Sequence, residues 1–175
     1  MKNKLKKILP SVEKPTRYIG TEFNSVHKDL NGINIRFAFC FPDVYEVGMS
    51  HLGMKILYHL LNSVDDIYCE RVFAPWVDME EKMRENNIPL FSLETMSPVS
   101  DFDFIGFTLQ YEMSYSNIVN MLKLANVAPK SCDRKEGDPF VCFGGPCAYS
   151  SEAIADFADF YMLGEGEEVM IEVMD

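Results

Sequence analysis

The chain has 175 residues, 47 % of them hydrophobic and 25 % charged, which suits one globular domain with a substantial core. A formal net charge of −11 argues against a nucleic-acid groove, which needs a basic surface to neutralise phosphates. No apolar run approaches the ~18–20 residues of a membrane span, and the basic start MKNKLKKIL lacks the apolar core and cleavage site of a secretory signal. The five cysteines (Cys40, Cys69, Cys132, Cys142, Cys147) are odd in number and show no CxxC spacing, so neither a zinc site nor a disulfide framework is indicated. A reducing compartment, with the cytoplasm as default, is the expectation.

Residues 1–33 read as an N-terminal arm packed on the domain, broken by Pro10 and Pro15 and closed by the Asn31-Gly32 turn signal. Tyr18, Ile19 and Phe23 would either add a short strand or lie across the sheet. Residues 34–175 read as one α/β domain. Ile35–Phe41 is a nearly all-apolar strand, followed by a loop over Pro42–Ser50 and a helix. Leu52, Ile56, Leu57, Leu60 and Leu61 mark the predicted buried face of that helix. Ile67–Ala74 is a second strand. A helix follows over about Val77–Glu85, with Asp78 and Glu81 spaced as a capping box and Trp76, Met79 and Met83 as its apolar stripe.

IPLFSLE (88–94) reads as a third strand, and Ser97-Pro98 as a cap with proline opening a helix. Phe104–Leu109 is the fourth strand. The next helix carries Ile118, Met121, Leu122 and Ala125 on one face and stops at Pro129. Phe140–Phe143 is the fifth strand and runs into Gly144-Gly145-Pro146. A short helix around Glu152–Phe157 precedes a sixth strand, Phe160–Leu163, which ends in GEGEE and a final helix. Short apolar strands alternating with helices require a mainly parallel sheet covered on both faces. The predicted fold is a flavodoxin-like or Rossmann-like doubly wound sheet of five to six strands.

In such a sheet the strand-to-helix loops share the carboxyl edge, where ligands bind. Four loops land there: Pro42–Gly53, Gln110–Asn117, Gly144–Ser151 and Gly164–Glu168. Gly144-Gly145 lets backbone approach a flat or anionic ligand, or simply makes a tight turn. GEGEE is too acidic for a phosphate loop and reads as a helix start favoured by the dipole. His51, at the start of the first domain helix, could ligate or hydrogen-bond a cofactor, although a structural role is the commoner one. Asp43, Glu46 and Glu112 are candidates for an acidic cluster. Cys147 is predicted as the accessible thiol, with no base identified to make it a nucleophile. No GxGxxG or Walker A pattern occurs.

The words FPDVYEVGMSHLGMKILYHLLN, CERVFAPWVDMEEKM, SLET, DFDFIGFTLQYEMSYSNIVNML, GGPCAY and GEGEE, with the arm KPTRYIGTE, closely resemble one family. It is the N-terminal, cobalamin-binding-like region of a group of radical S-adenosylmethionine (SAM) proteins, and the likeness runs from about Lys14 to Val169. The resemblance implies a B12-binding-like module whose partner is the radical SAM barrel of the same polypeptide. The 4Fe-4S cluster and S-adenosylmethionine would belong to that barrel, because CxxxCxxC is absent here. The chain is then expected to end at the junction with the barrel, at a hinge near Leu163 and the following helix, and to be inactive alone.

The DxHxxG motif that supplies an axial histidine to cobalamin is also absent. Position 49 is Met, and the axial role is not carried to His51. After GGPCAY the family tends to read Asn-Pro-Glu-Pro, whereas Ser150-Ser151-Glu152-Ala153 stands here. If cobalamin binds, the implied cofactor residues are Gly48, Ser50, His51, Gly53, Gln110, Tyr111, Ser114, Gly144, Gly145, Pro146 and Cys147. No catalytic residue and no metal ligand is assigned. The other readings are a scaffold that orients the barrel or recognises a macromolecular substrate, and an independent flavin- or nucleotide-binding protein. The scaffold would leave an exposed apolar patch.

Overall fold

Strand β1 (Ile35–Phe41) alternates phenylalanine with small residues, and a strand sends successive side chains to opposite faces. The alternation sorts the core into two layers. Phe37, Phe39 and Phe41 pack with Met54, Tyr58, Leu61, Met170 and Met174 on one face. Ala38 and Cys40 face the other layer, with Leu5, Met79, Met83, Ile118 and Met121. This computed structural model describes residues 1–174, so Asp175 lies outside the described residues.

Five strands form one wholly parallel sheet: β1, β2 (Ile67–Phe73), β3 (Phe104–Thr108), β4 (Phe140–Gly144) and β5 (Phe160–Tyr161). Their order is β2-β1-β3-β4-β5, the flavodoxin-like arrangement. The six helices are α1 (Lys2–Ile8), α2 (Tyr45–Ser50), α3 (Leu52–Asn62), α4 (Val77–Glu85), α5 (Tyr115–Leu124) and α6 (Gly166–Met174). Helices α3 and α6 cover the phenylalanine face, and α1, α4 and α5 the other. The doubly wound α/β prediction is thus the observed fold.

Several local expectations are corrected. Residues 88–94 are no strand, although Ile88, Leu90, Phe91 and Leu93 are all buried. A single antiparallel bridge, Phe91 to Pro98, is all the pairing they show, because their polar groups serve β2 instead. Two thirds of the expected loop 42–50 is helix α2. The buried face of helix α3 is rotated from the predicted one: Leu61 is buried and Leu57 packs on the core as expected, but Met54 and Tyr58 join them, while Leu52 and Ile56 are 68 % and 42 % exposed. Asp78 makes no capping box; helix α4 is capped at Trp76, and Asp78 accepts the Glu13 N–H instead. Pro98 precedes only a 3-10 turn, Val99–Asp101. Helix α5 ends at Leu124, well before Pro129. Asn126 adopts a left-handed φ of 59°, and the next N–H, of Val127, returns to the Leu122 carbonyl, a Schellman-type close.

Strand β2 lies at the sheet edge, yet its outward backbone groups are engaged from Ile67 to Arg71. Lys28 Nζ donates to the Ile67 carbonyl. The buried Asn62 carboxamide spans Cys69, accepting its N–H at 3.1 Å and donating to its carbonyl at 3.0 Å. Glu94 accepts the Arg71 N–H, and the Leu93 N–H donates to the Arg71 carbonyl. The segments 22–28 and 90–97 therefore stand where a further strand would pair. Their anchor is polar: Glu70, wholly buried, accepts from Arg36 Nη2 at 2.7 Å, the Ser92 hydroxyl at 2.7 Å and the Thr95 N–H at 3.0 Å.

Candidate functional site

At the carboxyl edge a cleft of ≈ 190 Å³ opens between α3 and α6. Phe37 and Phe39 of β1 and Gly106 of β3 form its floor, Met54 and Leu57 one wall, and Met162 and Met170 the other. Polar groups are few: Thr108, Gln110, His51 and Glu167. Gln110 Nε2 donates to Thr108 Oγ1 at 2.6 Å, which uses one donor of the amide and holds it against the strand end. An apolar slot with a few orienting polar groups is the usual make-up of a small-molecule site.

Glycines thin the walls, for separable reasons. At Gly106 an added Cβ would overlap the Phe37 ring, with Cε1 at 2.7 Å, so a side chain there is incompatible with the aromatic floor. Gly145 has φ +98°, and a Cβ would meet Leu109 N, Leu109 O and Thr108 Oγ1 at 3.0 Å each. It is the tight turn after β4. Gly144 has ordinary room, with Met162 O as nearest neighbour at 3.6 Å, and faces the cleft. Both glycines line the cleft, and only Gly145 is held by the turn.

His51 lines the cleft and caps α3: its Nδ1 accepts the Met54 N–H at 3.1 Å. An accepting Nδ1 leaves the proton of the neutral ring on Nε2. A metal-ligating histidine has the reverse arrangement, donating from one nitrogen while the other binds the ion. The cap thus speaks against an axial-ligand role, and His51 presents a donor to the cleft instead.

Of the residues singled out in the sequence, the cleft brings together His51, Gly53, Gln110, Gly144 and Gly145. Gly48 sits under the Phe73 ring and borders a different pocket. Ser50 is exposed and donates to the Glu46 carbonyl within α2. Tyr111 turns away to give its hydroxyl proton to Asp43 at 3.1 Å, and buried Ser114 bonds the Tyr111 carbonyl. Pro146 and Cys147 start the 3-10 segment Pro146–Ser150 and do not line the cleft. Where the family's prolines are lost, the buried Ser151 hydroxyl holds the loop by donating to the Ala148 carbonyl.

Two chemical candidates fail. Cys147 is half-buried, and burial, with Glu112 nearby, pushes its thiol up, away from thiolate; the exposed cysteine is Cys132. Asp43, Glu46 and Glu112 form no cluster, because Glu46 is paired with Arg17 and Lys14 and Asp43 with Tyr111. Among the described residues no group of three or more His, Cys, Asp or Glu side chains could hold a metal ion. None of the described helices is long and apolar enough to cross a membrane.

Sequence reasoning placed the loop Gly164–Glu168 at this edge but missed Gly106, Met162 and Met170 as cleft residues. Gly106 carried a signal, since a glycine inside an apolar strand marks close approach. The methionines did not, because a lining methionine and a core methionine look alike in sequence.

Set beside known proteins, the fold overlaps a cobalamin-binding protein from Desulfitobacterium hafniense DCB-2 with a TM-score of 0.44. The overlap has 12 % identity and covers 81 % of this chain and 58 % of that one. An uncharacterized protein of Methanocaldococcus jannaschii is 28 % identical over 143 residues, which is 79 % of this chain and 26 % of that protein. The chain thus spans about a quarter of the length of the curated relative it matches. The family model for the N-terminal region of radical SAM proteins matches residues 53–175, from α3 through the cleft to the last helix, and the chain belongs to that family.

Proposed function

We propose that this domain is the N-terminal cofactor module of a cytoplasmic radical SAM enzyme and that its cleft receives the benzimidazole arm of cobalamin. The observation that carries this is the glycine-thinned, apolar slot at the carboxyl edge. An apolar cavity of about 150 Å³ holds a benzene-sized ring, so ≈ 190 Å³ accommodates a flat aromatic group, whereas the corrin exceeds it and stays outside. Phe37, Leu57 and Met170 would contact the ring, and His51 Nε2 and Gln110 would offer it polar edges. Bound cobalamin supplies a methyl group or a one-electron centre. The cluster and S-adenosylmethionine belong to the barrel, as the five separate thiols here suit a reducing compartment and not a cluster.

A second reading, a docking scaffold for the barrel or a macromolecular substrate, is favoured by apolar side chains exposed on the carboxyl-edge loops. Met113 is 84 % and Tyr149 69 % exposed, and Val47, Leu52 and Leu163 are exposed as well.

Titration with hydroxocobalamin, followed by visible absorption and calorimetry, separates the two. Saturable one-to-one binding is expected, without the spectral change of histidine ligation. Gly144→Val should fill the slot and abolish binding while leaving the melting temperature within a few degrees. His51→Ala should retain binding and lose about 1 kcal/mol of stability as a lost cap. No binding at about 100 μM protein, repeated with the full-length enzyme, would leave the scaffold reading standing.

A further inference from the structure

A second, larger pocket of ≈ 700 Å³ lies between arm residues 22–26 and α3, on the far side of Met54 from the cleft. Nothing in the cobalamin reading uses it. Its volume is that of a small-molecule site. At its inner end is Arg71, only 5 % exposed, with its guanidinium over the Tyr58 ring at 4.5 Å. Arg71 Nε donates to Glu94 at 2.6 Å and Nη2 to the Ser25 hydroxyl at 2.8 Å. Nη1 finds only the Met49 sulfur, at 3.4 Å. A thioether is a weak acceptor, so Nη1 is the guanidinium nitrogen with the weakest partner, while the charge itself is met by Glu94 and, 3.6 Å from Nη2, by Glu22.

The rest of the lining shows the same imbalance. The carboxylate oxygens are spoken for: Glu22 Oε1 accepts from Tyr45 at 2.9 Å and Oε2 from Ser25 at 3.3 Å, and both Glu94 oxygens take Arg71. The donors are not. Among the described residues, Lys55 Nζ and Asn24 Nδ2, which line the same pocket, have no hydrogen-bond acceptor. Phe23 stands at the mouth with its side chain wholly exposed. A pocket whose carboxylate oxygens each already accept a hydrogen bond, with spare donors and aromatic side chains in its lining, complements an acceptor-rich ligand with an apolar body. The Glu22 charge makes a monoanion a better fit than a phosphate dianion.

We propose that the pocket between the arm and α3 binds a small organic carboxylate, its oxygens on Arg71 Nη1 and Lys55 Nζ and its apolar body between Phe23 and Tyr58. Arg71 also holds Glu94, so its variants report on folding, and exposed Lys55 is the residue to change.

Phenylacetate titrated into the uniformly 15N-labelled chain is the test. Saturable amide shifts are expected at Ser25, Met49 and Lys55, with a Kd of about 1 mM, as befits a ligand of that size. The neutral isostere phenylacetamide and the Lys55→Glu variant should each bind about tenfold more weakly, and Gly144→Val should bind phenylacetate unchanged. Absence of shifts at about 20 mM, an equal response to phenylacetamide or to inorganic phosphate, or undiminished affinity in Lys55→Glu would overturn the proposal.

Discussion

Glu70→Ala should lower the stability of the chain by about 3–5 kcal/mol, the cost of removing one partner from a buried ion pair. The side chain of Glu70 is fully buried, and that of its partner Arg36 is 17 % exposed. Alanine would leave the Thr95 N–H without its acceptor and reduce Arg36 Nη2 and the Ser92 hydroxyl to Thr95 Oγ1, at 3.4 Å and 3.2 Å, in place of a carboxylate. Arg36 is already short of partners, since its Nε is buried without one, and it rests on the Phe102 ring at 4.1 Å. At about 2–4 °C per kcal/mol for a chain of this length, the melting temperature should fall by on the order of 10 °C. Glu70→Gln should recover only part of this, because an amide cannot accept on both sides. Urea unfolding gives the measurement: the midpoint should move with the slope unchanged. A loss below about 1 kcal/mol would show that the loop 90–97 is held by its buried Leu90, Phe91 and Leu93 and not by the carboxylate.

Gly106→Ala should be the most damaging single methyl group in the sheet. The new Cβ would overlap Phe37, whose ring is wholly buried and boxed by Phe39 at 6.1 Å and Phe104 at 6.2 Å between centroids. With no free side to move to, the ring must leave its rotamer or the strands must part, at about 1–3 kcal/mol or more. Phe37→Leu alone should cost about 1–3 kcal/mol as a cavity. Combined, the two changes should cost less than their sum by about 1–3 kcal/mol, because the shorter side chain vacates the space that the methyl enters. Thermal or urea denaturation of the four proteins completes the cycle. Strict additivity would mean that the ring yields freely, and that the glycine is not held at this position by Phe37.

The strands were legible because an unbroken apolar run such as FAFCF or FIGFT leaves a parallel sheet few alternatives, and the loops that follow them then had to share an edge. Helix α3 shows where pattern reading runs out. Its apolar residues continue almost around the cylinder, so the stripe through Leu52, Ile56 and Leu60 and the one through Met54, Tyr58 and Leu61 are equally periodic. Only packing against β2 and α6 selects the second. The segment IPLFSLE has the composition of a strand and the burial of one, but its polar side chains are committed to Glu70 and Arg71 more than twenty residues away. No local rule reports a bond of that span. The words CERVF and SLET each stood out in the sequence, and the structure joins them in one polar network. In the cleft, the glycine loops and His51 were visible as residues, while the sense of the His51 hydrogen bond, acceptor and not donor, was not.

Both rims of the sheet are closed to newcomers. On one side Lys28, Asn62 and Glu94 occupy the backbone groups that β2 would otherwise offer, and on the other β5 is two residues long. Exposed strand edges are the templates on which unrelated chains stack, and short or capped edges remove them. Apart from Phe140 at the start of β4, the large apolar side chains exposed among the described residues sit on loops and helix surfaces, where a partner must match their shape to bind. Crowding and high concentration in the cell should then produce selective pairing, not fibrils.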